Sequence, residues 1–240
     1  MLKISSKKAN LSLFVAASIL GIVAFVIFRL RPVEDGAAPS SVYLAKADGA
    51  AQVYQAVEFP VIEENEKTFG SSGAPLSIFV YEDYTNIFSA NLADSLNKAQ
   101  LDFGEDISIS VRPFVKNSQE AFLAALAVEC AGRQDKWKEM RALLFAKVKN
   151  RQNLEPTSLD YQKQLGLDEE SFSLCLTNEE KSGKMEEMIA SADALAVYGA
   201  PTIFIGEEVI PGARPYEDYT DSEGNSVYGL KTVISAKLGR

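Results

Sequence analysis

The sequence predicts an α/β fold in which one sheet layer is interrupted by a block of helices. Residues 76–81 form a short β-rich run, and residues 107–114 alternate apolar and polar side chains as a half-buried strand does. A helical region follows from about residue 118 to 197, and strand patterns return at 202–205 and 209–210. In a chain of 240 residues, this order indicates one main domain with an inserted helical subdomain.

The first sheet unit is predicted to be strand, helix, strand. Residues 88–103, between the two strand patterns, carry apolar side chains at helical spacing. Such a unit favours a parallel strand pair with a right-handed crossover. The later helical region is divided by Pro156, Gly166 and Gly183, and residues 230–238 close the chain as a predicted helix.

An uncleaved membrane anchor is predicted at the N-terminus, over residues 1–31. Residues 11–28 are 18 consecutive residues without a charge, which is long enough to cross a bilayer as a helix. A cleaved signal peptide, the alternative, usually has an apolar region of about 7 to 15 residues and a small-residue cleavage site just beyond it. Here the apolar segment runs directly into Arg-Leu-Arg-Pro.

The charges beside this segment predict its orientation. Three lysines precede the segment and two arginines follow it, which favours a cytoplasmic N-terminus. Residues 32–56, rich in Ala, Ser, Gly and Pro, are predicted to be a linker. We therefore expect a single-pass protein of the cell membrane, held through residues 11–28, whose soluble domain lies outside the cytoplasm.

Composition excludes several function classes. The net charge of −9 leaves no basic surface for nucleic acid, so we expect no nucleic-acid partner. The chain has no histidine, which excludes Ser-His-Asp catalysis and histidine metal ligands. Two cysteines cannot alone form a structural zinc site. We expect neither a metal nor a cofactor.

Three segments together resemble the DsbA-like branch of the thioredoxin fold. They are Gly73-Ala74-Pro75 leading into LSIFVYEDY, then AVECAGRQDKWKEMRALLF, and finally YGAPTIFIGEEVIPGARP. The resemblance covers about residues 69–238. It implies a thioredoxin-like domain over 57–117 and 198–240, a helical insertion over 118–197, an extracytoplasmic location and, for the family, protein disulfide oxidoreductase activity.

The family's redox motif is missing from this chain. In the family, an acidic-aromatic pair precedes Cys-x-x-Cys at a helix N-terminus, where free N–H groups and the helix dipole stabilise a thiolate. Asp83-Tyr84 matches the pair, and Asn86, Ile87, Phe88 and Ser89 stand where the motif would be. Asn and Ser can cap a helix but cannot form a mixed disulfide. We therefore expect the fold without its redox centre, and no catalytic residue.

The second part of the family's site is matched by Ala200, Pro201 and Thr202. The resemblance implies a cis-proline loop, whose preceding backbone groups can pair with an extended peptide. The alternative is an ordinary trans proline that ends a helix and begins a strand.

The two cysteines, Cys130 and Cys175, both fall in the helical insertion, and three interpretations stay open. They could form a structural disulfide, remain as buried free thiols, or act as a displaced redox pair. Two functions follow. The first is a redox-inactive protein that binds an extended peptide or partner protein as a chaperone or scaffold. The second is a thiol-disulfide oxidoreductase that uses Cys130 and Cys175 or a partner's cysteines.

Overall fold

The computed structural model describes residue 60 and residues 66–71, 73–116 and 118–240. Its strands are β1 (Thr68–Gly70), β2 (Leu76–Glu82), β3 (Ile107–Pro113), β4 (Thr202–Ile205), β5 (Glu208–Pro211), β6 (Tyr219–Thr220) and β7 (Ser226–Val227). Its helices are α1 (Ile87–Phe103), α2 (Gln119–Gly132), α3 (Trp137–Lys149), α4 (Leu159–Leu165), α5 (Glu169–Glu180), α6 (Lys184–Ala194) and α7 (Leu230–Lys237).

Five strands form the main sheet, in the order β1-β3-β2-β4-β5. β2 and β3 are parallel, with Ile78 opposite Ile109, and α1 connects them. The other neighbours in this sheet are antiparallel, and β6 pairs with β7 in a separate hairpin. The predicted strand-helix-strand unit and the helices inserted before the last part of the sheet are both confirmed.

Alternation along β2 gives the sheet two buried faces. Ile78 and Val80 face one side, where they share a core with Leu92 of α1 and Ile234 of α7. Phe79 and Tyr81 face the other side and pack with residues that include Phe204, Ala192 and Val197. Because successive side chains of a strand point to opposite faces, this run of apolar residues covers both sides of the sheet.

The inserted helices have a core of their own. α2 is rich in alanine and is buried along most of its length, with Leu126 fully enclosed. Tyr84 and Ala90, from the sheet body, belong to the same cluster of buried residues. The insertion therefore packs against the loop that leads from β2 into α1, and this contact places it beside the candidate site.

Two of the predicted helix breaks, at Gly166 and Gly183, are helix boundaries in the structure. Gly166 ends α4 and Gly183 precedes α6, with φ angles of 66° and 79°. Glycine adopts these left-handed conformations without the steric penalty of a Cβ atom. The two glycines thus separate three short helices that must turn sharply in the insertion.

Within the part of the chain that the structure describes, no helix is both long enough and apolar enough to cross a membrane. The predicted anchor at 11–28 and the linker at 32–56 lie outside the described residues. Both therefore stay predictions.

A disulfide connects two helices of the insertion. Cys130 of α2 is bonded to Cys175 of α5, with 5.8 Å between their Cα atoms. The two residues are 45 positions apart, and both are buried. The bond rules out the alternative of two buried free thiols, and it holds α5 against the buried helix α2.

Replacing both cysteines, Cys130→Ser with Cys175→Ser, is expected to lower the free energy of unfolding by about 2–4 kcal/mol. The bond closes a long loop and so restricts the unfolded chain. Urea denaturation of the oxidised wild type and of the double variant measures the difference. Equal stability of the two proteins would contradict a structural contribution from this bond.

Candidate functional site

Asn86, which the sequence resemblance aligns with the first cysteine of the family's motif, caps the N-terminus of α1. Its backbone is extended, and its side-chain Oδ1 accepts hydrogen bonds from the N–H groups of Phe88 at 2.7 Å and Ser89 at 3.4 Å. Helix N-termini leave such N–H groups without intrahelical partners. In this chain an amide oxygen occupies the place in which a thiolate would receive those hydrogen bonds.

Ser89, which the sequence resemblance aligns with the second cysteine, fixes the turn that precedes the helix. Its side chain is fully buried, and its Oγ accepts a hydrogen bond from the N–H of Asp83 at 3.2 Å. Asp83 Oδ1 in turn accepts from the N–H and the hydroxyl of Thr85 at 2.8 and 2.6 Å. These contacts give Ser89 a structural role in holding the turn.

The two middle residues of the motif are apolar and point to solvent. The side chain of Phe88 is 59% exposed, and that of Ile87 is 42% exposed. The side chains of Asn86 and Ser89 are thus hydrogen-bonded to the protein's own backbone, and the apolar side chains between them are exposed.

The proline loop lies at the same end of the sheet. Tyr81 of β2 is opposite Thr202 of β4, so the loop before β4 lies beside the turn that follows β2. The Ala200–Pro201 peptide bond is cis. Pro201 O accepts from the N–H of Gly212 at 2.8 Å, and the Thr202 hydroxyl donates to Gly199 O at 2.8 Å.

An apolar hollow borders this loop. Its volume is about 260 Å³, and its walls include Tyr198, Ala200, Pro201, Val209, Pro211 and Gly212. Tyr198 is 82% exposed, and Val209 is exposed as well. Within the described residues, no hydrogen bond is made to the backbone of Ala200. We call Ile87, Phe88, Tyr198 and Val209 the apolar rim of the site.

A buried ion pair lies beneath the turn. Glu82, the last residue of β2, is fully buried and accepts two hydrogen bonds from Arg141 of α3, at 2.7 Å from Nε and 2.5 Å from a terminal nitrogen. The guanidinium carbon of Arg141 lies 5.0 Å from the Phe145 ring centroid and 5.2 Å from that of Phe69. The pair therefore joins the end of β2 to the inserted helices.

Sequence reasoning missed this pair. A carboxylate at the end of an apolar strand is a visible signal, because a buried charge needs a partner. The partner is 59 positions away in another helix, and the spacing of residues along the chain cannot select it.

Tyr84, the aromatic residue of the acidic-aromatic pair, is a core residue. It is buried and packs against Phe145, with 5.6 Å between ring centroids. In the described part of the chain its hydroxyl has no hydrogen-bond partner. Burial, reinforced by the nearby Glu82 carboxylate, raises the pKa of Tyr84 above its ordinary value. Tyr84 is therefore a neutral phenol at neutral pH.

Known structures share this architecture. The oxidised BdbD of Bacillus subtilis matches with a TM-score of 0.59 and 20% identity, over 74% of this chain and 95% of that protein. A periplasmic thioredoxin-like protein from Salmonella enterica serovar Typhimurium matches with a TM-score of 0.55 and 21% identity, over 74% and 92% of the two chains. At these identities the matches show a shared fold.

The curated relatives are longer proteins. The Na⁺/H⁺ antiporter NhaA 3 of Salinispora tropica is 24% identical over 238 residues, which cover 96% of this chain and 34% of the antiporter. The chain thus spans about a third of the length of the curated relatives it matches.

A sequence profile of the family described as Thioredoxin matches residues 63–222, which is more than half of the chain. The chain therefore belongs to the thioredoxin family, in the DsbA-like form of its fold.

Proposed function

We propose that this protein is a membrane-anchored, extracytoplasmic member of the DsbA-like group that binds an extended peptide or a segment of a partner protein. It serves as a chaperone or scaffold and does not exchange disulfides at the usual site. One observation carries this proposal. The polar side chains at the start of α1 are hydrogen-bonded within the protein, whereas the apolar side chains of the site are exposed to solvent.

The proposed binding mode follows from that division. An extended segment pairs its backbone with the N–H and C=O of Ala200, which have no partner among the described residues, as a short added strand. Its side chains then contact Phe88 on one side and the hollow beside Tyr198 on the other. Exposed aromatic side chains next to a small cavity are typical anchors of a protein-binding surface.

The position of the two cysteines supports binding over redox turnover. Thiol-disulfide exchange between proteins requires that an attacking thiolate reach one sulfur in line. Cys130 is 1% exposed and Cys175 is 6% exposed, and their bond lies between two helices of the insertion. A folded protein substrate cannot approach such a bond, and the usual redox position holds no sulfur.

Three observations support the proposed location. The uncharged segment at 11–28 is long enough for a membrane span. The curated relative that aligns with 96% of this chain is an antiporter, and antiporters work across membranes. One of the structural relatives is a periplasmic protein.

The double change Phe88→Ser with Tyr198→Ser is expected to weaken peptide binding at least about tenfold, because aromatic anchors in a binding surface often contribute more than 1 kcal/mol each. A suitable probe is reduced, carboxymethylated α-lactalbumin, which is permanently unfolded and has no free thiol. Fluorescence anisotropy of the labelled probe, titrated with the full-length protein, gives the Kd.

Leu101→Ser provides the matched control, because Leu101 is 84% exposed on α1 and is not part of the apolar rim. This variant is expected to bind as the wild type does. Two results would reject the proposed binding site. One is an equal loss of probe affinity in the double variant and in Leu101→Ser, and the other is no binding of the probe by the wild type.

A further inference from the structure

Lys116 lies after β3, beside the loop that carries Tyr198. Its Nζ is 5.8 Å from the centroid of the Tyr198 ring, and it donates a hydrogen bond to Asp193 Oδ1 at 2.6 Å. Asp193 is close to the end of α6, and Tyr198 lies between α6 and β4. The three side chains therefore come from three segments that meet at the edge of the proposed peptide site.

The contact between Lys116 and Tyr198 has the geometry of a cation–π interaction. An ammonium group within about 6 Å of a ring centroid is attracted by the negative face of the ring. A lysine side chain is flexible, and the Asp193 carboxylate holds this one in place. The Lys116 and Asp193 side chains are 32% and 48% exposed, so their pairing adds little to the stability of the fold.

The backbone that leads to Tyr198 is already fixed. Ala196 has a φ of 53°, in the left-handed region, and its N–H donates to Asp193 O at 3.0 Å. The next residue, Val197, is buried, and its N–H donates to Ala192 O at 2.9 Å. The Tyr198 side chain that follows is 82% exposed. The protein core therefore fixes the start of the loop, and a surface contact must orient the tyrosine ring.

We infer that Lys116 is a positioning residue of the peptide site, an inference that rests on the proposed function. Its ammonium group covers one face of the Tyr198 ring and leaves the other face for the bound segment. A ring that is ordered before binding loses less entropy when the segment binds, which tightens the complex. Lys116 acts through Tyr198 and does not itself contact the segment.

Lys116→Met keeps an unbranched side chain of similar length and removes the charge. Titration of the full-length variant into labelled, carboxymethylated α-lactalbumin is expected to give a Kd about two- to fivefold above that of the wild type, the range of an exposed cation–π contact. Lys116→Arg is expected to keep the wild-type Kd, because a guanidinium group can make the same ring contact and pair with a carboxylate. In a Tyr198→Ser background, Lys116→Met is expected to have no further effect.

Lys149→Met is the matched control. The Lys149 side chain is also 32% exposed and also pairs with an aspartate, Asp94 of α1, but it is not near the proline loop in the list of residues that line the hollow. This variant is expected to bind the probe as the wild type does.

A measurement on the free protein separates this inference from the proposed function. In a ¹³C-edited nuclear magnetic resonance spectrum, the Cε protons of Lys116 are expected upfield of those of Lys149, because the Tyr198 ring current acts on them, and to lose this shift in Tyr198→Ser. Probe binding by the wild type with an equal Kd in Lys116→Met would overturn the inference alone. So would an equal loss in the Tyr198→Ser background, or no upfield shift. No probe binding by the wild type would reject the proposed function, and this inference with it, even with the shift present.

Discussion

The variant Asn86→Cys with Ser89→Cys is expected to reduce insulin disulfides in the presence of a thiol reductant, whereas the wild type shows no activity above background. The change installs a Cys-x-x-Cys motif at a helix start whose surroundings are already formed. Residues three apart on a helix are neighbours, which is close enough for a disulfide. The expected effect is therefore a gain of function from two side-chain changes.

The physical reason lies in the capping hydrogen bonds of α1. The N–H groups of Phe88 and Ser89 now point at Asn86 Oδ1. With cysteine at position 86, the same N–H groups and the helix dipole would face its sulfur, and we expect its pKa to fall from about 8.5 to about 7 or below. Thiolate absorbance in the ultraviolet, followed against pH, measures this pKa.

The single variants separate the two positions. Asn86→Cys alone is expected to form mixed disulfides without turnover, because no second thiol resolves them, and Ser89→Cys alone is expected to react slowly because position 89 is fully buried. An ordinary pKa for the thiol introduced at position 86, or a double variant without activity, would show that more of the redox site has been lost than the two sulfurs.

Arg141→Met is expected to lower the free energy of unfolding by about 3–5 kcal/mol, because it leaves the buried Glu82 carboxylate without its partner. Methionine keeps much of the volume of the side chain, so the loss reports mainly on the charge. Adding Glu82→Gln to Arg141→Met removes the uncompensated charge and is expected to recover part of the loss. Urea denaturation of the full-length variants measures both effects.

Arg133→Met is the matched control for this prediction. Arg133 also pairs with a glutamate, Glu179, but its side chain is largely exposed, and such pairs typically contribute less than about 1 kcal/mol. A similar loss in the Arg133 and Arg141 variants would contradict a special role for burial. The same role would be contradicted if Arg141→Met with Glu82→Gln were no more stable than Arg141→Met alone.

The parts of this fold that depend on local pattern could be predicted from the sequence. The apolar run at 76–81 and the alternation at 107–114 predicted β2 and β3 to within one residue at one end of each strand, and Asn86 has the residue type and position of a helix cap. The glycines at 166 and 183 marked helix ends because their backbone conformations favour glycine. In each case, neighbours along the chain decide the structure.

Features that depend on contacts between distant segments could not be predicted. The partner of Glu82 is chosen by the packing of α3 against the end of β2, and the bond between Cys130 and Cys175 requires that α2 and α5 approach within reach. The membrane anchor remains a prediction from the sequence, since residues 11–28 lie outside the described residues.

We propose that the site keeps a binding surface for an extended segment although it has no thiols. A nuclear magnetic resonance titration of the ¹⁵N-labelled wild type with reduced, carboxymethylated α-lactalbumin tests this directly. We expect amide shifts concentrated at residues 86–88 and 198–202, without any free thiol on either partner. Shifts confined to other surfaces, or no shifts at saturating probe, would contradict a binding surface at this site.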